Sequence, residues 1–387
     1  MDTKEEPQIL DTPKNVVSDK KTDGSHALTV LTFVMAVSSL GLGVYNYYNS
    51  GSVTNYNYSN DGNSLNFEAG SIAEVANKVS SSVVSITTET RTKSFFGTES
   101  TGSAAGTGFI ISESGYIMTN KHVVENAKTV NVTLSNGKTY KNVTIVGTDP
   151  LNDSAILKVS DPKDFVAVKL GDSKTINVGQ QVIVIGNALG EYSNSVTSGI
   201  VSGTGRELVA SDSTGSMQER LTDMIQTDAA INGGKSGGPI VNAAGEVIGI
   251  ATAYASSSQT VGFAIPIANV KGLINNVLAT GEFKRAVLGV QYTAITPSVA
   301  EELKLDITYG AYIHNDDGTA IVKGGAAEEA GIKDGDIILE INGVKIGKAG
   351  SLSTLVGEYK VGDEINVKIL REGKEQVIKV KLKEYKQ

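Results

Sequence analysis

The chain contains no cysteine and no tryptophan. Without cysteine there can be no disulfide scaffold, no thiolate metal site and no cysteine nucleophile; the absence is compatible with either side of a membrane. Histidine is almost as scarce, with 3 in 387 residues, so a His-rich metal cluster is not expected. Positive charge is in deficit too: 34 Lys+Arg against 42 Asp+Glu leave a net charge of −8. Such a balance is poor for coating nucleic acid, and no nucleic-acid partner is expected. What is plentiful is glycine, at 43 residues against only 7 prolines, which points to many turns and tight backbone corners in a β-rich architecture. A hydrophobic content of 40% with 20% charged residues lets most of the chain bury a core. At roughly 150 residues per domain the length suggests two to three units.

Residues 1–26 are polar and mixed in charge over most of their length, and are expected to form a disordered cytoplasmic tail. From Ala27 to Val44 run 18 residues without a charge. At ~1.5 Å per residue they span about 27 Å, near the ~30 Å of a bilayer core. Tyr45, Tyr47 and Tyr48 follow at once, as interfacial rings do, and Lys20 and Lys21 precede. No Lys or Arg comes after the stretch until Lys78. Residues 27–45 are therefore expected to be a single transmembrane helix, with everything beyond it outside the cytoplasm. A cleaved leader fits less well, because the preceding tail is long and YNYYNS makes a poor cleavage site. A buried core helix would stand alone beside residues 46–70, which have the Asn/Ser/Tyr/Gly composition of a linker.

A short amphipathic helix, SIAEVANKVS, then runs into a strand. Up to about Pro266 the pattern is one of short strands between turn signals: GFIIS, TVNVTL, SAILKV, QQVIVIGNA and EVIGIATAY among them. Ile267–Phe283 has apolar residues at helical spacing, ends near a glycine and reads as the closing helix of this domain, residues 71–283. Residues 286–387 change character to a compact alternation of strands and short helices.

The chemistry centres on GGKSGGPI, Gly233–Ile240, which admits three readings. As a phosphate loop it has the Gly-Lys-Ser ending, but Ala229 stands where the first glycine belongs and no helix pattern follows. As a nucleophile elbow it lacks the following helix, and the only later histidine is His314 in the other module. As the nucleophile turn of a chymotrypsin-like double β-barrel it requires the order His, Asp, Ser. The chain supplies this order with His122 at the end of GYIMTNKHVV, Asp153 just before SAILKV, and Ser236. His122 is the one histidine within the β-rich region, so the base follows by elimination. A serine hydroxyl needs a neighbouring base to become nucleophilic, and imidazole, titrating near ~6.5, can take and return that proton. Asp153 would hold the ring's tautomer, and the N–H groups of Gly234 and Ser236 would form an oxyanion hole. Taken singly, each residue also has an ordinary structural role, His122 as a satisfied core histidine and Asp153 as a turn residue.

The stretches GTGFIIS…GYIMTNKHVV, DPLNDSAILKV, VTSGIVSGTGR, INGGKSGGPIVN and VGFAIP resemble those of the HtrA/DegP family of trypsin-fold serine proteases. The C-terminal module resembles a PDZ domain through AVLGV and GGAAEEAGIKDGDIILEINGVKI. The resemblance implies a mainly β protease domain followed by an α+β PDZ domain, no cofactor, a homotrimer, and degradation of misfolded or damaged envelope or secreted proteins. It also implies that Ile200, Ala253, Tyr254, Val261, Gly262 and Phe263 lie near a primary specificity pocket for a small or aliphatic residue. Leu288, Gly289 and Val290 would cradle a peptide's C-terminal carboxylate while the peptide adds a strand to the sheet edge. Lys235 departs from the family's GNSGGP; its side chain is expected to point to solvent, with activity kept and preference open to change. The alternative function is a catalytically silent chaperone or peptide-binding module at the cell surface. His314 is expected to be structural or exposed, and Asp316-Asp317-Gly318 a turn without calcium-loop spacing.

Overall fold

A computed structural model describes residues 71–93, 99–188, 192–211, 218–252, 261–315, 318–347 and 349–386. The expected tail, the membrane helix at 27–45, the linker, Ala253, Tyr254 and the Asp316-Asp317 turn lie outside the described residues. Among the described residues no helix is long and apolar enough to cross a membrane.

The first helix among the described residues, α1 (Ile72–Ser80), starts where the Ser71 hydroxyl accepts the Glu74 N–H at 3.2 Å. Such a cap stabilises a helix by about 1 kcal/mol. The spacing of Val75, Ala76 and Val79 puts all three on its buried face.

Seven strands then form the first sheet: β1 (Val83–Lys93), β2 (Glu99–Ser112), β3 (Tyr116–Thr119), β4 (Thr129–Leu134), β5 (Thr139–Tyr140), β6 (Thr144–Thr148) and β7 (Ala155–Lys158). A one-turn helix, α2 (Lys121–Val124), follows β3 directly. The strand order is β5-β4-β1-β2-β3-β7-β6. Period two is plain in β4, where Val130, Val132 and Leu134 turn inward and the residues between them do not. These side chains, with Val84, Ile86, Ile110, Ile117 and Leu157, fill the interior.

Seven more strands build the second sheet: β8 (Lys169–Leu170), β9 (Gln181–Ala188), β10 (Tyr192–Ser211), β11 (Gln218–Thr227), β12 (Pro239–Val241), β13 (Glu246–Thr252) and β14 (Gly262–Pro266). Their order is β12-β9-β10-β11-β14-β13-β8, and β12 also pairs with β13. That extra pairing closes six strands into a ring, the expected barrel. In the first sheet no such pairing joins β5 to β6 among the described residues, and β5, only two residues long, offers few backbone groups for one. The run Val182-Ile183-Val184-Ile185 shows why β9 is apolar without alternation. Val182 and Val184 face the second interior, while Ile183 and Ile185 face a core shared with Phe109, Met118 and Ile156 of the first sheet. Helix α3 (Ala268–Thr280) covers this shared core with Val270, Leu273, Ile274 and Val277, and ends at Gly281 with φ 76°.

Among the described residues the C-terminal module holds eight strands: β15 (Ala286–Val287), β16 (Thr293–Ala294), β17 (Ala311–Tyr312), β18 (Ile337–Ile341), β19 (Val344–Lys345), β20 (Glu364–Arg371), β21 (Lys374–Lys381) and β22 (Lys383–Glu384). Its helices are α4 (Pro297–Glu302), α5 (Ala326–Ala330) and α6 (Leu352–Val356). The main sheet runs β16-β17-β18-β20-β21, and β15 pairs with β22. Helices α5 and α6 cover a core that includes Ile313, Ile338, Val367 and Ile369, while Ala300 of α4 packs with Ile295, Ile337 and Leu339.

The module docks on α3 through backbone. The Gly272 N–H donates to the Gly357 carbonyl at 2.8 Å. A Cβ on Gly272 would collide with the Tyr359 carbonyl and stand 2.7 Å from that of Gly357. A glycine in mid-helix ordinarily costs about 0.5–1 kcal/mol relative to alanine, so contact with the module explains it here. Gly272→Ala is therefore expected to loosen this junction instead of stabilising the helix. The measurement is limited proteolysis across residues 281–285, and faster cleavage than in the wild type is the expected outcome.

Candidate active site

Strand register brings the first two candidate residues together. β3 and β7 are antiparallel with Thr119 opposite Ala155. Three residues beyond Thr119 comes His122, and two before Ala155 comes Asp153. The Asp153 carboxylate is fully buried and holds the histidine twice: Oδ1 accepts the His122 backbone N–H at 2.9 Å, and Oδ2 lies 2.6 Å from Nδ1. A proton on Nδ1 leaves Nε2 of the neutral ring as the nitrogen able to accept another. Asn120 fixes the turn further, its Nδ2 donating to the Asp153 carbonyl at 2.6 Å and to Thr252 Oγ1 at 3.1 Å. The side chains are thus positioned by the ends of two strands and by a buried amide reaching into the second sheet.

Ser236 arrives from that second sheet. Thr107, in the middle of β2, donates its N–H to the Ser236 carbonyl at 2.8 Å and its hydroxyl to the Gly234 carbonyl at 2.6 Å. The next residue, Gly237, has φ 85°. A Cβ there would strike the Thr107 carbonyl and Thr119 Oγ1, and would lie 3.0 Å from the Asn120 nitrogen. Only glycine permits this approach. It sets the turn bearing Ser236 directly against the segment that carries His122. Gly234, with φ 87°, opens the same turn.

Lys235 corrects an expectation. Its side chain does not point to solvent: the residue is 2% exposed. Nζ lies 2.7 Å from Thr197 Oγ1 on β10 and donates to the Ala230 carbonyl at 3.1 Å. Burial pushes its pKa down from 10.5 to about 8. A polar side chain folds inward here because two acceptors wait at the end of a stem that the interior can accommodate.

Of the expected pocket residues, Ile200 is partly exposed, and its N–H donates to Asp228 Oδ1 at 2.7 Å. Gly262 on β14 is buried against the segment leading to Ser236, with Ile231 Cδ1 and the Ala229 carbonyl about 3 Å from where its Cβ would stand. Val261 and Phe263, flanking it, are half-buried. Residues 228–231 thus lie between the start of β10 and β14. Ala253 and Tyr254 lie outside the described residues.

In the C-terminal module the Leu288 and Gly289 carbonyls accept the N–H groups of Ala327 at 2.8 Å and Val322 at 3.0 Å. Their trans peptides direct the N–H groups of Gly289 and Val290 the opposite way. Leu288, Gly289, Val290, Val322, Leu352 and Val356 line a groove of about 1120 Å³. Leu151 and Arg285 line it as well, although Leu151 belongs to the turn that carries Asp153. His314, as expected, is partly exposed, stacks on Tyr312 and faces Asp334 at 3.3 Å.

Several residues escaped the sequence reading. Asp149, directly before Pro150, is one of them. It is fully buried, accepts from the Leu151 N–H and Asn152 Nδ2, and forms an ion pair with Arg285, itself 6% exposed. The Asp149–Arg285 pair ties the Asp153 turn to the first residues of the C-terminal module. Thr107 and Asn120 were also passed over; a polar residue interrupting or ending an apolar strand was the available signal.

Residues 106–250 match the family model for a trypsin-like peptidase domain, and residues 286–382 match that for a PDZ domain. The chain is 39% identical over 288 residues to the periplasmic serine endoprotease DegP of Salmonella typhimurium, covering 73% of this chain and 58% of that protein. It is 37% identical to the putative serine protease HhoB of Synechocystis, covering 71% of this chain and 65% of the relative. Among solved structures it is similar to the HtrA-type protease AlgW with decapeptide, at 31% identity and a TM-score of 0.58, over 82% of this chain and 99% of that one. The chain therefore spans less than two thirds of the curated relatives it matches.

Removing Arg285 would leave a buried, uncompensated carboxylate, which typically costs about 3–5 kcal/mol. Arg285→Ala is expected to lower the urea midpoint accordingly, measured by denaturation followed by circular dichroism.

Proposed function

Because the chain belongs to the HtrA family, a trypsin-like peptidase domain followed by a PDZ domain, we propose that it is a serine endopeptidase working through His122, Asp153 and Ser236. The observation that carries this reading is the doubly held His122–Asp153 pair, with the Ser236 turn packed against the same segment. His122 Nε2 takes the Ser236 proton as Oγ attacks the peptide carbonyl, and then passes it to the leaving amine. The N–H groups of Gly234 and Ser236 receive the developing oxyanion, each such donor being worth ~2.7–4 kcal/mol. Water then hydrolyses the acyl-enzyme by the same proton path.

Ile200, Ala253, Tyr254, Val261, Gly262 and Phe263 border the pocket for the residue before the cut, which should be small or aliphatic. The Asp228 carboxylate beside Ile200 is engaged by a backbone N–H, in keeping with no trypsin-like preference for Lys or Arg. The substrates are misfolded or damaged envelope or secreted proteins. Leu288, Gly289 and Val290 bind peptide C-termini in the apolar groove. Residues 27–45 tether a homotrimer to the membrane, with both domains outside the cytoplasm.

Ser236→Ala should abolish cleavage of casein while leaving the circular dichroism spectrum unchanged; normal cleavage by this variant would refute the assignment. A serine-reactive phosphonate separates the silent-chaperone alternative, since the wild type should be labelled and a silent fold would not be. Leu151 and Arg285 border the groove and belong to, or pair with, the Asp153 turn, so a bound peptide can favour one arrangement of that turn. Peptides with hydrophobic C-termini are expected to raise the rate of full-length protein on a fluorogenic substrate. A flat response from peptides shown to bind would remove the coupling.

A further inference from the structure

We propose that Lys235 is a positioning residue for hydrolysis: its buried ammonium clamps the segment 228–236 to β10 and thereby holds the backbone that presents Ser236 and the Gly234 and Ser236 N–H groups. The inference rests on the reading of Ser236 as nucleophile. Its basis is a closed set of contacts. Nζ reaches Thr197 Oγ1 on β10 and the Ala230 carbonyl on the segment, and Thr197 Oγ1 itself donates to that carbonyl at 2.8 Å. The stem crosses β9 at Gly186, where a Cβ would stand 3.1 Å from Lys235 Cγ. One side chain therefore spans β9, β10 and the segment, starting from the residue between the two oxyanion donors.

An ammonium in this position is costly unless it has a task. Among the described residues no carboxylate pairs with it, and its acceptors are neutral. The charged groups on the surrounding elements are Asp228, committed to the Ile200 N–H, His122 with Asp153, committed to each other, and, nine and ten residues along β10 from Thr197, Arg206, which donates to Gln226 Oε1 at 3.1 Å, and Glu207. β9 offers glycine at the crossing and the partner on β10 is an uncharged threonine. Hydrogen bonds from a charged donor are roughly twice as strong as neutral ones, so loss of the proton weakens both arms of the clamp together. With its pKa lowered to about 8 by burial, that loss falls in a range a protease assay can reach.

Activity and stability should then move in opposite directions. The folded protein releases this proton near pH 8, whereas an unfolded lysine keeps it to about 10.4. Between those values the unfolded state binds more protons, so this group's contribution raises stability as pH rises. Over the same interval the clamp fails, and kcat should fall with it. A lysine that merely filled space would give the stability change without the kinetic one.

The experiment compares wild type, Lys235→Met and Lys235→Gln. It uses kcat and KM on a fluorogenic peptide from pH 6 to 10, urea midpoints over the same range, and phosphonate titration of active sites. Wild type should show an alkaline fall in kcat with a midpoint near 8, KM nearly constant, and a rising urea midpoint. At pH 7 both variants should bind phosphonate slowly and show kcat about ten-fold lower, a modest loss for displaced oxyanion donors, with Gln the better of the two. Neither should show the alkaline fall. Variants that keep the wild-type kcat, or keep its fall near pH 8, would overturn the proposal, as would a wild-type profile flat through pH 9. Failure of phosphonate to label the wild type would instead overturn the nucleophile reading beneath it. Should the Met variant not fold, the Gln variant and the opposed wild-type profiles still decide.

Discussion

Thr107 joins the two sheets at the site, and each of its polar groups is used in doing so. Its N–H and hydroxyl hold the carbonyls of Ser236 and Gly234, its hydroxyl accepts the Asn187 N–H at 2.8 Å, and its own carbonyl accepts Thr119 Oγ1 at 2.7 Å. The residue is fully buried. An unpaired polar group there would cost roughly 1–3 kcal/mol, so the four bonds form together or the packing fails. They oblige β2, β3, β9 and the Ser236 turn to meet at one point. The close approach at Gly237 follows from the same constraint.

Buried charge is handled in two ways around this hub. Asp153 and Asp149 are each fully enclosed, but each has polar partners on several sides, and they anchor opposite ends of one short turn. Lys235 has only neutral acceptors. An ammonium held by dipoles alone is eased toward its neutral form by burial. The paired carboxylates and the ammonium held by neutral acceptors thus sit on different sheets.

The junction with the PDZ domain is built from backbone and from caps. Asp223 on β11, a non-glycine residue with φ 62°, accepts the Ser351 N–H at 2.7 Å and the Thr354 hydroxyl at the start of α6. Helix α6 also forms one wall of the groove lined by Leu288, Gly289 and Val290. With the Asp149–Arg285 pair, the Lys174–Glu358 ion pair and the Gly272–Gly357 contact, several separate places connect the two domains. None of them was visible in the order of residues, because each joins positions more than eighty residues apart.

Local pattern alone determined a good deal. Alternation announced β4, an unbroken apolar run announced β9, the spacing of Val270, Leu273, Ile274 and Val277 with Gly281 beyond them announced α3, and the ordered His, Asp and Ser motifs named their candidates. Such features are legible because they depend on neighbours in the chain: the two-residue period of a strand, the 3.6-residue period of a helix, the glycine required at a turn. The direction of Lys235 could not be read in this way. Its neighbours are glycines and a serine, which suggested an exposed turn. The acceptors that draw it inward, Thr197 and Ala230, and the gap above Gly186 that admits it, exist only once the second barrel has closed. The tertiary structure decided it, because burying an amine depends on what stands at the far end of its stem.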